Sequence, residues 1–539
     1  MPLPDNGGEF PGLRADAHAG MVRDVGSIGL ATLVSRILGF IRDMVVAHAF
    51  GAGLITDAFL VAFRIPNLFR RLLAEGALST AFVPVFTEYL TTRSREEYQR
   101  MLRSLAGTLL LILVVVSLLG MALAPVIVRL MAPGFWADQG KAALAVHLTR
   151  MMFPYLLFVG LAALAMGVLN ASRNFFTGAL GPAVLNIGMI SAVLFLSPQL
   201  KHPIFGLAIG VLVGGLGQFL LQLPAVQRQG VSLAPAFDFT HPVLLRIARL
   251  MGPTLFGLSV TQLNIFVDTL LASLLPEGSV SFLYYADRIV EFPLGVFGIS
   301  IATAALPSMA MHAARQDLDG LKRTLNFALR LSCFVMIPAS VGIFCLRTPI
   351  VRLLFERGGF DRTDTIQTAW ALGFYSVGLV AFAGVKIVAQ AFYSLGDTRT
   401  PVRLAVITML LNIVLNLLFM GPLAHGGLAF ATSCSASVNF LWLLFALRRR
   451  SGLIGGRRLL TSLSRVGAAT IAMLPVVLLA LWMWPSPGVF WVDALWLGVT
   501  IITCVLVYSA VAFLLKAEEG PALLLLLTRR DRRLGELRS

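Results

Sequence analysis

Long apolar runs separated by short polar segments form the main pattern of this chain. A run such as 105–128 exceeds the roughly 18 apolar residues that a helix needs to cross the hydrocarbon core of a bilayer. The short alternating segments typical of membrane β-barrels do not occur. The pattern therefore predicts an all-α polytopic membrane protein with about fourteen transmembrane helices. The predicted spans are 24–50, 54–90, 98–131, 140–171, 176–198, 203–226, 242–275, 278–311, 319–347, 364–395, 400–421, 425–447, 460–484 and 491–515.

The spans form two related halves. Residues 57–84 align with residues 281–307, and the alignment places Arg64 opposite Arg288. The offset of about 224 residues corresponds to six spans, and an even number of spans preserves orientation, so the halves are predicted to be parallel repeats. Chance similarity between apolar segments is the alternative; otherwise the repeat predicts two six-helix lobes around a central cavity, followed by two C-terminal helices. The predicted regions are a polar N-terminal extension (1–21), an N-lobe (22–230), a C-lobe (231–450), the two extra helices (451–518) and a basic cytoplasmic tail (519–539).

The charge distribution explains the excess of basic residues. The chain is 57% hydrophobic and 13% charged, against about 25% charged residues in soluble proteins. Its formal net charge of +16 would suit a nucleic acid, but the basic residues gather in alternate loops, as the positive-inside rule requires. We therefore predict a cytoplasmic (inner) membrane protein with both termini in the cytoplasm, with membrane lipid and no nucleic acid among its partners. The loop 347–362 departs from the pattern, because it is basic on the predicted outer side.

Arginines cluster within predicted spans, where a charge is unfavourable. Near the bilayer centre each opposes insertion by about 2.5 to 3.5 kcal/mol. Such residues persist where they face water or an anion, and the planar guanidinium suits a phosphate group. Snorkelling to the headgroups, or pairing with acids inside the bundle, is the alternative. The cluster predicts a phosphate-bearing amphiphile as cargo, and its members are Arg36, Arg42, Arg64, Arg70, Arg71 and Arg288.

Helical spacing predicts partners for some of these charges. Arg36 and Asp43 share one stripe of the first span, whereas Arg42 points about 120° away from Arg36. We therefore predict that Asp43 partly neutralises Arg36 and leaves Arg42 in excess. On the eighth span, Arg288 lies three residues before Glu291, which is within reach for an ion pair on a helix. Arg288 is predicted to be an oriented member of that pair.

A second polar set lies in the predicted C-lobe. It combines carboxylate, amide and hydroxyl groups in apolar surroundings, and their oxygens suit a hard cation. A site for a coupling Na⁺ or H⁺ is one interpretation, and ordinary hydrogen bonding between helices is the other. The set consists of Asp268, Asn412, Asn416 and Thr432.

The sequence carries no catalytic constellation. It has no Walker loop, no G-x-S-x-G, no H-E-x-x-H and no long extramembrane loop that could fold as a catalytic domain. Its four cysteines fall in apolar spans without metal-ligand spacing. We therefore predict a transporter and not an enzyme, with no catalytic residues, no metal site and no cofactor other than a coupling ion.

Prolines and glycines interrupt two of the predicted spans. In membranes such breaks are tolerated where the backbone lines a cavity or packs on neighbouring helices. They fall where a moving transporter needs hinges, although tolerated kinks are the alternative interpretation. The interrupting residues are Pro66, Gly76 and Pro84 in the second span and Pro293, Gly295 and Gly298 in the eighth.

From about residue 22 onward the chain resembles a known family in long, specific motifs. The motifs are SRILGFIRDMVVAHAFGAG (35–53), TDAFLVAFRIPNLFRRLLAEGALSTAFVPVF (56–86), YYADRIVEFPLGVFGISIATAALP (284–307), LLFERGGF (353–360) and AFYSLGDTRTPV (391–402). They resemble the MurJ (MviN) family of lipid II flippases, within the multidrug/oligosaccharidyl-lipid/polysaccharide exporter superfamily. The resemblance implies fourteen spans, arranged as a six-plus-six core with two extra helices. It also implies that the basic outer loop around LLFERGGF is a family feature.

The resemblance implies roles for particular residues. Contacts to the diphosphate of the cargo fall on Arg36, Arg42, Arg64, Arg70 and Arg288, with Arg64 at a position where relatives carry Lys. Charge balance and gating fall on Asp43, Asp57, Glu291 and Lys386. The set Asp268, Asn412, Asn416 and Thr432 resembles a cation site of part of the family. At Asn416 other members carry Asp, so this chain has one carboxylate fewer there.

The resemblance implies a transporter of lipid II, the undecaprenyl-diphosphate-linked disaccharide-pentapeptide, from the inner to the outer leaflet by alternating access. A flippase for another polyprenyl-diphosphate-linked oligosaccharide is the alternative. An antiporter of organic cations is disfavoured, because the arginines would repel its cargo. A glycan polymerase would need catalytic acids on a sizeable outer loop, which the sequence lacks, and a scaffold for synthesis enzymes would move no lipid.

Overall fold

The structure is a computed structural model that describes residues 11–71, 78–453, 455–484 and 490–520. Within these ranges, the side chains of residues 11–28, 30, 69, 78–80 and 253–261 are not described. The described part consists of α-helices with short 3₁₀ and π turns and contains no β-strand, which confirms the predicted all-α fold class. The predicted break at Gly76, the first ten residues of the N-terminal extension and the tail beyond residue 520 lie outside the described residues.

Apolar segments with short polar connections produce twenty α-helices in the described part. The first ten are α1 (Pro11–Phe50), α2 (Leu54–Arg70), α3 (Leu78–Thr92), α4 (Arg95–Ala122), α5 (Ala124–Met131), α6 (Gln139–Met152), α7 (Tyr155–Ala171), α8 (Phe175–Ala179), α9 (Gly181–Ser191) and α10 (Ile204–Gln227). The second ten are α11 (Pro242–Ser273), α12 (Ser279–Pro293), α13 (Ile299–Ala314), α14 (Leu318–Phe355), α15 (Arg362–Val377), α16 (Leu379–Ser394), α17 (Arg399–Leu423), α18 (His425–Ser451), α19 (Gly456–Trp482) and α20 (Phe490–Leu514).

Ten helical segments of the described part are long and apolar enough to cross a membrane. The number is eleven if α15 and α16, which are bent by 43° at their junction, form one broken span. The chain is thus a multi-pass membrane protein, but the predicted count of about fourteen is not confirmed. One difference lies in the predicted span 54–90, which forms the two shorter helices α2 and α3, with residues 72–77 between them outside the described part.

Backbone contacts divide the chain into two compact units. The first unit is Met1–Ala49 with Ala58–Leu263, and the second unit is Phe50–Asp57 with Asn264–Ser539. The short segment Phe50–Asp57, which includes the first four residues of α2, therefore belongs to the second unit, and the later division falls inside α11. The lobe boundaries at residues 230 and 450 stay predictions.

The first unit is packed around aromatic and small residues. Phe82 and Phe86 of α3 stack with ring centres 5.1 Å apart, and they pack against buried Leu164 of α7. Elsewhere α9 and α10 approach closely, because a Cβ at Gly188 would lie 2.7 Å from the Cα of Gly214. Such close backbone approach at small residues is how helices associate where lipid supplies no hydrophobic drive.

The 38-residue helix α14 packs against two groups of helices in the second unit. Its first part, from Leu321 to Leu329, packs with α13, α16 and α18, and its later part, from Phe334 to Leu353, packs with α19 and α20. Polar contacts reinforce the packing of α14 against the two C-terminal helices. The hydroxyl of Tyr508 donates to the carbonyl of Phe334 at 2.7 Å, and Nη2 of Arg352 donates to Oδ1 of Asp493 at 2.8 Å. The two C-terminal helices are therefore attached to α14 by buried and polar contacts together.

One of the two predicted groups of helix interruptions appears in the structure. α12 ends at Pro293 and continues as a π turn over Leu294–Gly298 before α13 begins. This confirms the interruption of the eighth predicted span. Pro66 and Pro84 are instead accommodated inside α2 and α3, where each removes one backbone donor without ending its helix.

Candidate functional site

Arg42 is buried on α1 between an acid and an amide. Its side chain is 9% exposed and that of Asp43 is 3% exposed. Nε and Nη2 of Arg42 donate to Oδ1 of Asp43 at 3.0 and 2.7 Å, and Nη1 donates to Oδ1 of Asn186 on α9 at 3.0 Å. Because buried charges are poorly screened, such a pair is costly to break from one side only. Protein groups therefore hold the Arg42 guanidinium in this state.

The prediction that Asp43 neutralises Arg36 is wrong, because Asp43 accepts from Arg42. The prediction compared only the directions in which the side chains leave the helix. The arginine side chain is long enough to fold back onto the adjacent residue, so those directions did not decide the pairing. Arg36 is exposed, and its guanidinium makes no ion pair or hydrogen bond within the described residues. Arg36 is thus an available cation of α1.

Two more of the predicted arginines lie on α2. Arg64 and Arg70 are both half-buried. Nε of Arg70 donates to Oδ1 of Asn67 at 2.9 Å, one helical turn away. This bond to a neutral amide orients the planar guanidinium of Arg70. The first unit therefore carries four of the five predicted diphosphate contacts on two consecutive helices.

The Asp57 carboxylate caps α12. Asp57 is 1% exposed, and its Oδ2 accepts from the backbone N of Gly278 at 2.9 Å. Its Oδ1 accepts from the backbone N and from Oγ of Ser281, at 2.9 and 2.6 Å. A carboxylate at a helix N-terminus satisfies unpaired backbone donors and interacts favourably with the helix dipole. These bonds explain why the segment Phe50–Asp57 belongs to the second unit.

Two further acids hold the loop that leads to Asp57. The backbone N of Leu54 donates to Oε1 of Glu277 at 2.7 Å. The backbone N of Ala52 donates to Oδ2 of Asp364 at 3.0 Å. Three carboxylates therefore join this short loop to the beginnings of α12 and α15. Hydrogen bonds to charged acceptors are stronger than neutral ones, so the loop is firmly held in this state.

Arg288 and Glu291 form the ion pair that spacing predicts. Nη1 of Arg288 donates to Oε2 of Glu291 at 2.7 Å, which confirms that prediction. Nη2 donates to the hydroxyl of Tyr284 at 3.3 Å, and Cζ lies 5.2 Å from the centre of that ring. The Arg288 guanidinium is therefore oriented by neighbours on its own helix.

Lys386 is exposed on α16 and makes no ion pair within the described part of the chain.

The predicted cation set comes together in the second unit. Nδ2 of Asn416 donates to Oδ1 of Asp268 at 2.8 Å, and Nδ2 of Asn264 donates to Oδ2 at 3.2 Å. Nδ2 of Asn416 also donates to Oδ1 of Asn412 at 3.0 Å, and Nδ2 of Asn412 donates to Oγ of Ser435 at 3.3 Å. The Thr432 hydroxyl donates to a carbonyl of its own helix at 2.9 Å. Amide nitrogens rather than oxygens face the carboxylate, an arrangement that favours hydrogen bonding between helices over a bound cation.

Replacing Asn416 with aspartate is expected to create Na⁺ binding at this network. The variant carries two neighbouring carboxylates, which repel each other unless a proton or cation lies between them. Na⁺ should therefore raise the melting temperature of Asn416→Asp by several degrees and leave the parent unchanged. The measurement is thermal unfolding of purified protein in sodium or choline chloride at equal ionic strength. The control Asp268→Asn/Asn416→Asp, with a single acid, should lose the shift; an equal sodium shift in the parent would contradict the interpretation.

Sequence reasoning missed the partners that hold the predicted charges. Among these partners, Asn186 had the clearest signal in the sequence. It is an amide within the apolar helix α9, and polar residues at such positions commonly bond across helices. Ser281 and Tyr284 carry no such signal, because both residue types are ordinary in membrane helices. The bond from Ser281 to Asp57 spans 224 residues of sequence, so no local spacing rule reaches it.

Comparison with known proteins gives consistent results. The family model described as Lipid II flippase MurJ matches residues 46–500. A Vibrio cholerae protein named "Probable lipid II flippase MurJ" is 42% identical over 419 residues, which cover 76% of this chain and 80% of that protein. A solved structure of the lipid II flippase MurJ in an inward closed conformation has a TM-score of 0.75 at 28% identity, covering 90% of this chain and 97% of that one. An inward-facing multidrug resistance MATE transporter of the MOP superfamily has a TM-score of 0.65 at 14% identity, covering 78% and 95%, which shows a shared fold alone.

Proposed function

Because this chain belongs to the lipid II flippase MurJ family, we propose that it moves lipid II from the inner to the outer leaflet of the bacterial cytoplasmic membrane by alternating access. The family match over residues 46–500 is the observation that carries this function. The chain is accordingly a transporter and not an enzyme. The arginines on α1, α2 and α12 supply the cationic groups that a diphosphate-linked lipid requires.

The diphosphate is proposed to meet arginines that differ in how they are held. Arg36 is exposed and available, and Arg70 is oriented by a neutral amide. Arg64 is proposed to contribute charge beside them. Arg42 is neutralised by Asp43 in this state, so it contacts cargo only after the diphosphate replaces that carboxylate. Asp43 is thus proposed to balance the buried charge whenever cargo is absent.

In the second unit, the diphosphate is proposed to replace the carboxylate partner of Arg288 in the same way. Glu291 holds Arg288 through one short bond while its side chain remains 47% exposed, so a diphosphate can displace it at modest cost. Surface-accessible ion pairs contribute little net stability, which makes the displacement reversible. Lys386 is proposed to balance charge during passage, since no acid of the described part neutralises it.

Asp57 is proposed to act as a latch rather than as a cargo ligand. Its three hydrogen bonds to the start of α12 are buried, and the chain passes between the two units directly after it. A conformational change that separates α2 from α12 must break these bonds together. The latch would therefore hold the first turn of α2 at the start of α12 until cargo binding supplies the free energy to break these bonds.

The proposed function also includes the orientation of the protein in the membrane and the coupling of transport to an ion. Both termini are proposed to be cytoplasmic, because the alternate loops on that side carry the basic residues. Transport is proposed to couple to H⁺ at Asp268, the carboxylate of the α11/α17/α18 network, because the amide donors around it disfavour Na⁺. Lipid II movement in proteoliposomes with and without an imposed potential, pH gradient or Na⁺ gradient measures this coupling. A pH gradient should change the rate and a Na⁺ gradient should not, and Asp268→Asn should abolish the dependence on the pH gradient.

Removing either Arg36 or Arg70 is expected to abolish transport without unfolding the protein. Arg36→Ala and Arg70→Ala each lose charge-assisted hydrogen bonds to the diphosphate, worth about 1.5 to 3 kcal/mol each, or a tenfold or larger loss in affinity. Cells depleted of their own flippase should then fail to grow on either variant. Arg36→Lys should retain partial activity, because it keeps the charge but not the bidentate geometry.

The matched control is Arg458→Ala on α19, which removes an exposed arginine outside the proposed site. It should sustain growth as the parent does. Membrane levels of every variant are compared by immunoblotting of isolated membranes. Normal growth on both Arg36→Ala and Arg70→Ala, at parental membrane levels, would refute the proposed diphosphate contacts.

A further inference from the structure

The turn after α7 in the first unit and the turn after α16 in the second unit have the same geometry. Arg173 lies at φ 61° in the first turn, and Gly396 lies at φ 71° in the second, 223 residues later. The next residues, Asn174 and Asp397, each donate a backbone N–H to the carbonyl five residues earlier, at 2.8 and 2.9 Å. Each side chain also accepts from the hydroxyl of the threonine three residues later. The internal repeat therefore extends to this turn.

The same repeat pairs polar residues of the two units. Asp43 near the end of α1 and Asp268 near the end of α11 are 225 residues apart. Asn186 of α9 and Asn412 of α17 are 226 residues apart. The first unit has three residues fewer between the turn and its asparagine, where α8 and α9 replace a continuous helix. Three residues turn a helix to within about 60° of a full rotation, so both asparagines lie on nearly the same face.

In both units a nitrogen group bridges the side-chain oxygens of this aspartate and this asparagine. In the second unit, Nδ2 of Asn416 donates to Oδ1 of the aspartate at 2.8 Å and to Oδ1 of the asparagine at 3.0 Å. In the first unit, the guanidinium of Arg42 donates to the same two atoms, at 2.7 and 3.0 Å. The bridging group is therefore a neutral amide in the second unit and a cation in the first.

The two bridging groups come from unrelated positions of the repeat. The residue equivalent to Arg42 in the second unit is Val267, and the residue equivalent to Asn416 in the first unit is Ile190. Since different positions bring a nitrogen to the same pair of oxygens, the oxygen pair is the feature that the units share. A carboxylate oxygen and an amide oxygen are ligands that suit a hard cation.

The first unit holds its oxygen pair in a fixed orientation. Nδ2 of Asn186 donates to the carbonyl of Ser35 at 3.2 Å, so the amide oxygen is the end that faces Arg42. Asn186 is 5% exposed and Asp43 is 2% exposed, which keeps both oxygens away from bulk water. A buried carboxylate requires a counter-charge, and the Arg42 guanidinium supplies it in this state.

We propose that Asp43 and Asn186 form a site for a small monovalent cation, and that Arg42 fills this site as a cation tethered to the chain. Na⁺ is the ion that suits it, because both ligands are hard oxygens and the one carboxylate balances one positive charge. While Arg42 is in place, the site takes no ion from solution. The proposal concerns the protein without cargo, so it does not depend on which lipid is transported.

Thermal unfolding of the purified full-length protein in sodium or choline chloride, at equal ionic strength, tests the site. Arg42→Val introduces the residue of the equivalent position in the second unit and removes the tethered cation. Na⁺ should raise the melting temperature of this variant by several degrees, and the parent should not respond. Arg42→Lys is the matched control, because it keeps a tethered ammonium group, and it should respond no more than the parent.

Two further variants locate the sodium response. Arg42→Val/Asp43→Asn lacks the charged ligand and should lose the response. Arg42→Gln decides the question if Arg42→Val does not fold, because its amide can still donate to Asp43 and can also turn its oxygen toward a bound ion. Na⁺ should stabilise Arg42→Gln by several degrees as well.

Several results would overturn the proposal. One is the absence of a sodium response in the folded Arg42→Val or Arg42→Gln protein. Another is an equal response in the parent or in Arg42→Lys, and a third is a response that survives Asp43→Asn. Stabilisation of Arg42→Val by lowered pH alone would also overturn it, since Asp43 would then take up a proton instead of a metal ion.

Discussion

Arg42→Ala is expected to lower the stability of the protein by about 3 to 5 kcal/mol, the usual result of removing one partner of a buried charge pair. The reason is that the Asp43 side chain is only 3% exposed and loses the guanidinium that donates two hydrogen bonds to it. Asn186 loses its donor as well. The melting temperature of detergent-purified protein, followed by scanning fluorimetry, measures the effect.

The control for this prediction removes both charges. Arg42→Met/Asp43→Leu leaves no buried ion, and replacing such a pair by apolar residues is often close to neutral, so most of the lost melting temperature should return. Arg36→Ala, on the same helix but exposed, should leave the melting temperature within about a degree of the parent. An Arg42→Ala variant that melts as the parent does would show that the pair adds nothing to stability. A stable but inactive double variant would assign the Arg42–Asp43 pair to transport.

Asp57→Ala is expected to have the second largest effect. It removes a buried carboxylate that accepts three hydrogen bonds from Gly278 and Ser281. Each bond to a charged acceptor contributes about 1.5 to 3 kcal/mol, so the combined loss should reach about 3 kcal/mol or more. Hydrogen–deuterium exchange at the backbone amides of Gly278 and Ser281 should accelerate, and cells depleted of their own flippase should not grow on the variant.

Two variants separate the latch from a general folding role. Asp57→Asn keeps one oxygen, but its new NH₂ group faces either the Gly278 amide or the Ser281 donors, so it should lie between parent and alanine. Ser281→Ala removes only the hydroxyl bond at 2.6 Å and should have a smaller effect on exchange. Unchanged exchange at both amides in Asp57→Ala would mean that Asp57 does not hold α12, whatever the variant does to growth.

The candidate site could be predicted from the sequence only where partners are close in the chain. Arg288 and Glu291 are three residues apart on one helix, so helical geometry alone brings them together. Arg42 and Asp43 are adjacent, yet the pairing was missed because the rotamer of a long side chain decides it. The charges themselves were visible, since a cation within an apolar run is conspicuous. Their surroundings, such as Asn186 beside Arg42, were not.

Hydropathy and length determine that this chain spans the membrane as helices, because a backbone in lipid must satisfy its own hydrogen bonds. Long family motifs in the sequence likewise identify lipid II transport. The tertiary structure alone decides which charges are engaged. It buries Arg42 against Asp43, and it carries Asp57 across 221 residues to the amide of Gly278. It also turns amide nitrogens toward Asp268. The physical reason is that hydropathy depends on each residue alone, whereas a hydrogen bond depends on where two distant backbones meet.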